Sequence, residues 1–260
     1  MIIDGLTHIT SDGRWIDGKS DASLENLLQN MEEARIEKAI VCGLPEGISS
    51  EGLASITAPH AARFFIFSAP PIHRPADLEP WFENSKKNRT VGIKIHPREG
   101  KYSLDAREVS AAVDLAVRRG MPILLCGFPG GSSEVLPHQV LGKWADCYPE
   151  GTFILAHAGS HRILDAWHMA RSRENVYLDL SHTLSYYLGS SVEKDIGFVA
   201  RRLDKRVLFG SDFPEYSPAQ AIQNLERCLS DWPDADRAAI YGGNWKNILL
   251  KHQWWKDQTL

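Results

Sequence analysis

Val91-Gly92-Ile93-Lys94-Ile95-His96-Pro97 is the stretch on which the reading of this chain turns. It is a short apolar run, stopped by a proline, that delivers a histidine at its end. Side chains alternate along an extended run, so Lys94 and His96 share one face while Ile93 and Ile95 share the other. Working outward, seven runs of the same kind recur about every thirty residues: Ile2–His8, Ala39–Leu44, Phe64–Ser68, Pro122–Cys126, Phe153–His157, Val176–Ser181 and Val207–Asp212. Stretches with helical spacing lie between them. In the strongest, Asp105–Arg119, Val109, Ala112, Val113, Ala116 and Val117 make one apolar face and Gly120 closes the carboxyl end. Eight strand–helix units in 260 residues predict a single-domain α/β structure, a (β/α)8 TIM barrel over residues 1–260. Two or three further helices between Ser217 and His252 are expected to brace its outside. A doubly wound open sheet would also alternate strand and helix, but no G-x-G-x-x-G follows the first run, and eight units favour closure.

Composition narrows the class of partner. An apolar content of 43% suffices for a packed core, and the net charge of −4 comes from interspersed residues. Without a basic stripe, neither nucleic acid nor an anionic membrane is an expected partner. Cys42, Cys126, Cys147 and Cys228 form no C-x-x-C pair, which predicts reduced thiols and a cytoplasmic location. The first strand starts at Ile2, leaving no room for a targeting segment, and no apolar run nears the roughly 18–20 residues of a membrane helix. The expected partner is a small-molecule substrate. Trp254 and Trp255 leave a homo-oligomer contact open.

In such a barrel the carboxyl ends of the strands form the working face. His8, His96, Cys126, His157 and Asp212 would therefore meet at one mouth. Asp212 could bind a cation or accept a proton from an attacking water, or it could be a turn residue before Pro214. His157 could act in the site or be a core histidine bonded to a carbonyl; Ala158 and Gly159 leave room for a ligand. Lys94, facing inward, needs a substrate carboxylate or carbonyl, or an ion pair with Asp4 or Asp179. His8 could ligate a metal or bond an internal carboxylate. Cys126 could touch metal or substrate, or be an inert core thiol. Ser181 and His182 are placed to line the pocket, and the Gly130-Gly131-Ser132 turn could offer N–H groups to an anion or be a tight turn. Among the other histidines, His73 is the one most open to a functional role. No G-x-S-x-G, H-E-x-x-H or Walker-type loop is present, which leaves serine and nucleotide hydrolases without support.

Taken together, these pieces resemble the amidohydrolase superfamily, in the branch of small metal-dependent hydrolases that includes amino-carboxymuconate-semialdehyde decarboxylase. The resemblance spans nearly the whole chain. It rests on Ile2-Ile3-Asp4 followed by His8, Gly92-Ile93-Lys94-Ile95-His96-Pro97, Gly120-Met121-Pro122-Ile123-Leu124-Leu125, Leu155-Ala156-His157-Ala158-Gly159, Val207-Leu208-Phe209-Gly210-Ser211-Asp212-Phe213-Pro214 and Gly243-Asn244. It implies a divalent ion, usually zinc, held by an H-x-H pair on the first strand, a histidine on the fifth and an aspartate on the eighth, with a sixth-strand histidine assisting. His8, His157 and Asp212 match. Leu6 and Cys126 stand where the other two histidines belong. Leucine cannot ligate a metal, whereas a cysteine thiolate can bind zinc. The implied metal set is then His8, Cys126, His157 and Asp212, with zinc or another divalent ion bound, or none.

What this implies for function is a hydrolase of a small carbonyl compound: a lactone, cyclic amide or ester. Asp212 would be the general base, His157 with a metal or with Lys94 the oxyanion stabiliser, and His96, Cys126 and His182 substrate contacts. A decarboxylase or hydratase of the same family is the close alternative. A catalytically silent barrel that binds a metabolite or a partner is the distant one, suggested by Leu6 and Cys126.

Overall fold

The structure is a computed structural model and describes residues 1–128 and 135–252. The Gly130-Gly131-Ser132 turn and the Trp254-Trp255 pair lie outside the described residues. Eight strands follow one another in a single parallel sheet: β1 Ile3–Thr7, β2 Lys38–Cys42, β3 Phe64–Ser68, β4 Thr90–Ile95, β5 Ile123–Cys126, β6 Phe153–Ala156, β7 Val176–Asp179 and β8 Val207–Leu208. The barrel helices are α1 Leu24–Glu33, α2 Ser50–Thr57, α3 Leu78–Asn84, a short α4 Pro97–Gly100, α5 Arg107–Arg118, α6 Pro137–Cys147, α7 Ile163–Ala170, a short α8 Thr183–Tyr186 and α9 Ser191–Leu203. Three more follow among the described residues: α10 Pro218–Cys228, α11 Asp234–Ala238 and α12 Asn244–Lys251. No helix among the described residues is long and apolar enough to cross a membrane.

Backbone hydrogen bonds between the first and last strand regions bring the ring together. Gly5 N donates to Phe209 O, Asp212 N to Leu6 O and His8 N to Phe213 O, at 3.1, 2.9 and 2.8 Å. One buried side chain reinforces the seam: Asp4 Oδ1 accepts from Ser211 N at 2.8 Å. The eighth run is only two residues long as a strand, although the sequence suggests six. Its later part leaves the ladder, with Phe209 N donating to Ile240 O at 3.1 Å, and Gly210 pressed so close to Asp179 that a Cβ would lie 2.7 Å from Oδ1. The segment between β2 and β3 divides into α2 and a 3-10 turn over Ala58–Arg63 with Pro59 near its start, where the ring removes a backbone donor.

Side-chain alternation sorts the core into two layers. Ile93, Ile95, Ile123, Leu125, Phe153 and Leu155 face the helices, whereas Ile40, Cys42, Phe67, Leu124, Ile154 and Ala156 fill the barrel interior. Lys94 and His96, of opposite parity to Ile93 and Ile95, therefore project inward as the alternation requires. The last helix does not brace the outside. Trp245 of α12 is fully buried, packs edge-on against Phe67, and donates from Nε1 to Phe209 O at 2.9 Å. Gly5 makes this possible, since a Cβ there would lie 2.1 Å from the indole. His252 Nε2 bonds Thr152 Oγ1 at 2.8 Å, just before β6. Thus α12 seals the amino-terminal mouth and leaves the opposite mouth as the open one.

Candidate active site

The chain leaves three strands sharply at the open mouth. His157 after β6, His182 after β7 and Asp212 after β8 have φ of 58°, 58° and 67°. Non-glycine residues adopt this left-handed conformation rarely, at a cost that surrounding structure must offset. Thr183 holds the first of these turns by donating from Oγ1 to His157 O at 2.6 Å. The result is that all three side chains turn into the mouth. They line a cavity of about 500 Å³ together with His8, Trp15, His96, Arg98, Phe128, Tyr186 and Glu215.

Hydrogen bonds assign the imidazoles different roles. His8 Nδ1 donates to Cys42 O at 2.8 Å, leaving the Nε2 lone pair 3.8 Å from Asp212 Oδ1. His157 Nδ1 donates to Ser181 O at 3.2 Å, so its Nε2 is also an acceptor. His96 is the reverse: Nδ1 accepts from Glu99 N at 3.3 Å, which leaves Nε2–H as the donor of a neutral ring. Burial, reinforced by the Lys94 ammonium, pushes His8 down to about 3 and holds His96 and His157 well below the usual histidine value. All three are therefore neutral near pH 7. Burial likewise lowers His182 to about 4, with Arg98 adding to the effect.

Three carboxyl groups lie at or beneath the floor. Burial raises Asp212 to about 7, Asp4 to about 7 and Asp179 to about 6. Lys94 opposes this at Asp212 and Asp179. Asp4 Oδ2 and Asp179 Oδ1 have no hydrogen-bond partner among the described residues. The other oxygen of Asp179 accepts from the Ser181 hydroxyl, whose Oγ lies 3.1 Å from His157 Nδ1. A buried acid thus reaches the His157 ring through one hydroxyl.

Of the residues proposed from sequence, His8, His96, His157, His182 and Asp212 come together around the cavity. Lys94 and Cys126 do not line it. Each is only 1% exposed, and they lie beneath the floor. Cys126 is a buried thiol with its pKa raised by burial, which keeps it protonated. Lys94 forms neither of the ion pairs considered for it, with Asp4 or Asp179, within 4.0 Å, and no hydrogen bond among the described residues. His73 bonds Gly100 O and packs against Tyr102, away from the cavity.

Sequence reasoning missed the rim. Arg98 lies over the Phe128 ring at 5.2 Å, Phe128 lies 4.5 Å from the His157 ring, and His182 stacks on Tyr186 at 5.0 Å. Trp15 donates from Nε1 to Glu215 at 2.6 Å, joining the loop after β1 to that after β8. Arg98 and Phe128 each follow a strand end by a few residues, the one signal that pointed to them. His161, not singled out from the sequence, also lines the cavity.

A divalent ion, implied by the resemblance, finds a poor donor set. His8 Nε2 and Asp212 Oδ1, 3.8 Å apart, offer two donors, and the free Nε2 of His157 lines the same cavity without forming a three-ligand group with them. Leu6 puts hydrocarbon where a third belongs, and the Cys126 thiol lies beneath the cavity floor. Among the described residues no three His, Cys, Asp or Glu side chains are arranged to hold a metal ion. The residues present do not fit the group.

Comparison with known proteins places this architecture. An uncharacterized TIM-barrel protein from Bordetella bronchiseptica superposes with a TM-score of 0.82 at 16% identity, over 96% of this chain and 99% of that one. A probable 2-pyrone-4,6-dicarboxylic acid hydrolase from Acinetobacter baumannii gives 0.68 at 12% identity, over 95% and 98%. A dihydroxybenzoic acid decarboxylase from a Polaromonas species, solved with bound manganese, gives 0.71 at 16%, over 96% of each chain. At these identities the likeness speaks to fold alone. No curated protein matched the sequence. The amidohydrolase family profile matches residues 20–244, which is most of the chain. Metal dependence is typical of that family. The chain belongs to the amidohydrolase family.

Proposed function

We propose that the protein is a hydrolase of a small carbonyl compound, such as a lactone, cyclic amide or ester, with Asp212 as general base. The observation that carries this reading is the pairing of two acceptors, His8 Nε2 and Asp212 Oδ1, 3.8 Å apart at the cavity floor. A water donating one hydrogen to each would be oriented with its lone pairs toward the cavity. A carboxyl raised to about 7 is matched to accept a proton near neutral pH, where half of the molecules carry it ionised.

The hydrogen-bond pattern refines the other roles. His96, with Nε2–H as its free donor, is the candidate for stabilising the developing oxyanion. His157, neutral with Nε2 an acceptor, is suited to accepting a hydrogen bond from substrate or water, while the proton that Asp212 takes from the water is the one passed to the leaving oxygen or nitrogen. Sequence reading alone assigned the oxyanion to His157; the engagement of its Nδ1–H by Ser181 O supports giving that part to His96 instead. Lys94, under the floor, acts through its charge and not by contact. Arg98 at the rim, beside Phe128, suits an anionic group on the substrate. His182, packed edge-on to Phe128, would contact the substrate beside Arg98, while Cys126 has no contact role.

Decarboxylation is the second reading. Its support is that a protein of the same fold carries that activity, and the Asp212 carboxyl, raised to about 7, could give a proton to a carbanion. Incubation with a panel of lactones, cyclic amides, esters and aromatic carboxylates, followed by mass spectrometry, separates them. A gain of one water supports hydrolysis, and a loss of carbon dioxide refutes it.

A further inference from the structure

We propose that the hydroxyls of Ser160 and Tyr187 form a second binding point in the cavity wall, which takes an acceptor oxygen of the substrate (carboxylate or carbonyl) away from the bond that is broken. The inference rests on this cavity being the active site, as proposed above, and not on which reaction runs there.

Three observations carry it. The first is backbone strain at Ser160. After β6 four consecutive residues, His157, Ala158, Gly159 and Ser160, have φ of 58°, 44°, 76° and 62°. Ser160 combines this with a ψ of −130°, which puts it where only glycine moves freely. Strain of this kind persists where the surrounding structure over-determines it, and it concentrates at working sites. What serine adds over glycine is a hydroxyl, on a residue 1% exposed that lines the cavity.

The second is a count of hydrogens. Ser160 Oγ and the Tyr187 hydroxyl oxygen lie 2.7 Å apart, and Tyr187 lines the same cavity. Each hydroxyl carries one hydrogen, so whichever donates, one O–H is left over. It belongs to the hydroxyl that accepts, and that bond strengthens it as a donor. Neither oxygen has another partner among the described residues. The third is a strained turn on the next strand. His182, after β7, has φ 58° and ψ −53°, and Thr183 N donates across it to Ser181 O at 2.6 Å. A γ-turn of this hand is rare and costly. It lays the imidazole on Tyr186, whose ring lies 4.9 Å from that of Tyr187. Two strained turns on neighbouring strands thus converge on one patch of wall. A spare O–H there recognises a lone pair, and Arg98 across Phe128 offers a separate anchor. A ring with two oxygen-bearing groups fits such a wall better than a ring with one.

Binding tests this without turnover, by ligand-observed NMR on the full chain, with benzoate and the 1,3- and 1,4-benzenedicarboxylates as probes. Wild type should hold the better diacid at least about tenfold more tightly than benzoate. Tyr187→Phe, Ser160→Ala and Ser160→Gly should each cut that preference to about threefold or less. Ser160→Gly should also melt at least about 2 °C above Ser160→Ala, since glycine relieves the strain and alanine keeps it. A preference lost in the more stable variant is then not a folding defect. No preference in wild type, a preference that survives in the variants, or a glycine variant no more stable than the alanine one overturns the proposal. So does a Tyr187→Phe variant that melts lower yet keeps the preference, because the pair would then only tie two loops together. No product is read, so a substrate panel without hydrolysis would sink the proposed function and leave this result standing.

Discussion

Asp212→Asn should stabilise the protein while abolishing its turnover, and the gain should depend on pH. Burial raises the Asp212 carboxyl from 3.8 to about 7. In the unfolded chain it ionises near its ordinary value, so between about pH 4 and 7 folding must retain a proton that the unfolded chain releases. A group whose folded pKa is raised contributes stability below its unfolded pKa and loses it as pH rises through the folded value. Three pH units at about 1.4 kcal/mol each amount to roughly 4 kcal/mol of penalty on the wild type above pH 7. Asparagine does not ionise and escapes it. Its amide has its own burial cost, but that cost is the same at every pH. The quantity to measure is therefore the stability difference between variant and wild type, by urea unfolding followed through tryptophan fluorescence, at pH 4 and pH 8. The difference should move in favour of the variant by about 3–4 kcal/mol. In a chain of this length that corresponds to roughly 10 °C in Tm. A difference that stays constant with pH would refute the reasoning, because the carboxyl would then ionise as easily folded as unfolded.

Other outcomes follow from the same geometry. With Asp212 as base, kcat/KM on a hydrolysed substrate should climb about tenfold per pH unit and level off near 7. The histidines, kept neutral by burial, should add no second inflection between pH 5 and 8, and a fall across that range would contradict the assignment. Ser181→Ala removes the hydroxyl between Asp179 and His157, so kcat should drop about 10–100-fold with KM little changed; an unaltered kcat would show that the link does not orient the ring. Trp245→Ala empties the amino-terminal plug and should cost roughly 3–5 kcal/mol of stability by urea unfolding. A loss below about 1 kcal/mol would mean that α12 does not seal the barrel.

The barrel was legible because its signals are local and repeated. Alternation around Lys94 separated inner from outer faces correctly, and each apolar run became a strand. Eight runs could close in only one economical way. What failed were features set by contacts between distant stretches. The eighth strand looked long because Phe209 and Gly210 are apolar or small, yet the backbone of Phe209 is engaged by Ile240, Gly5 and Trp245. The role of α12 was hidden because its apolar residues read equally as an outer brace or a plug. At the site, strand ends delivered His8, His96, His157, His182 and Asp212 to one mouth. Depth was not legible: alternation gives the face a side chain occupies, and so could not place Lys94 and Cys126 below the floor. Nor could sequence assign tautomers, which depend on carbonyls such as Cys42 and Ser181. The aromatic rim came from loops, whose path no periodicity encodes.

Transfer of a solvent oxygen under the control of Asp212 tests the central claim most directly. A substrate found by the panel would be turned over in heavy-oxygen water by wild type and by Asp212→Asn under single-turnover conditions. The account requires one labelled oxygen in the wild-type product and a rate in the variant lower by at least about a thousandfold. An unlabelled product, or a variant that hydrolyses at the wild-type rate, would show that the water held between His8 and Asp212 is not the nucleophile.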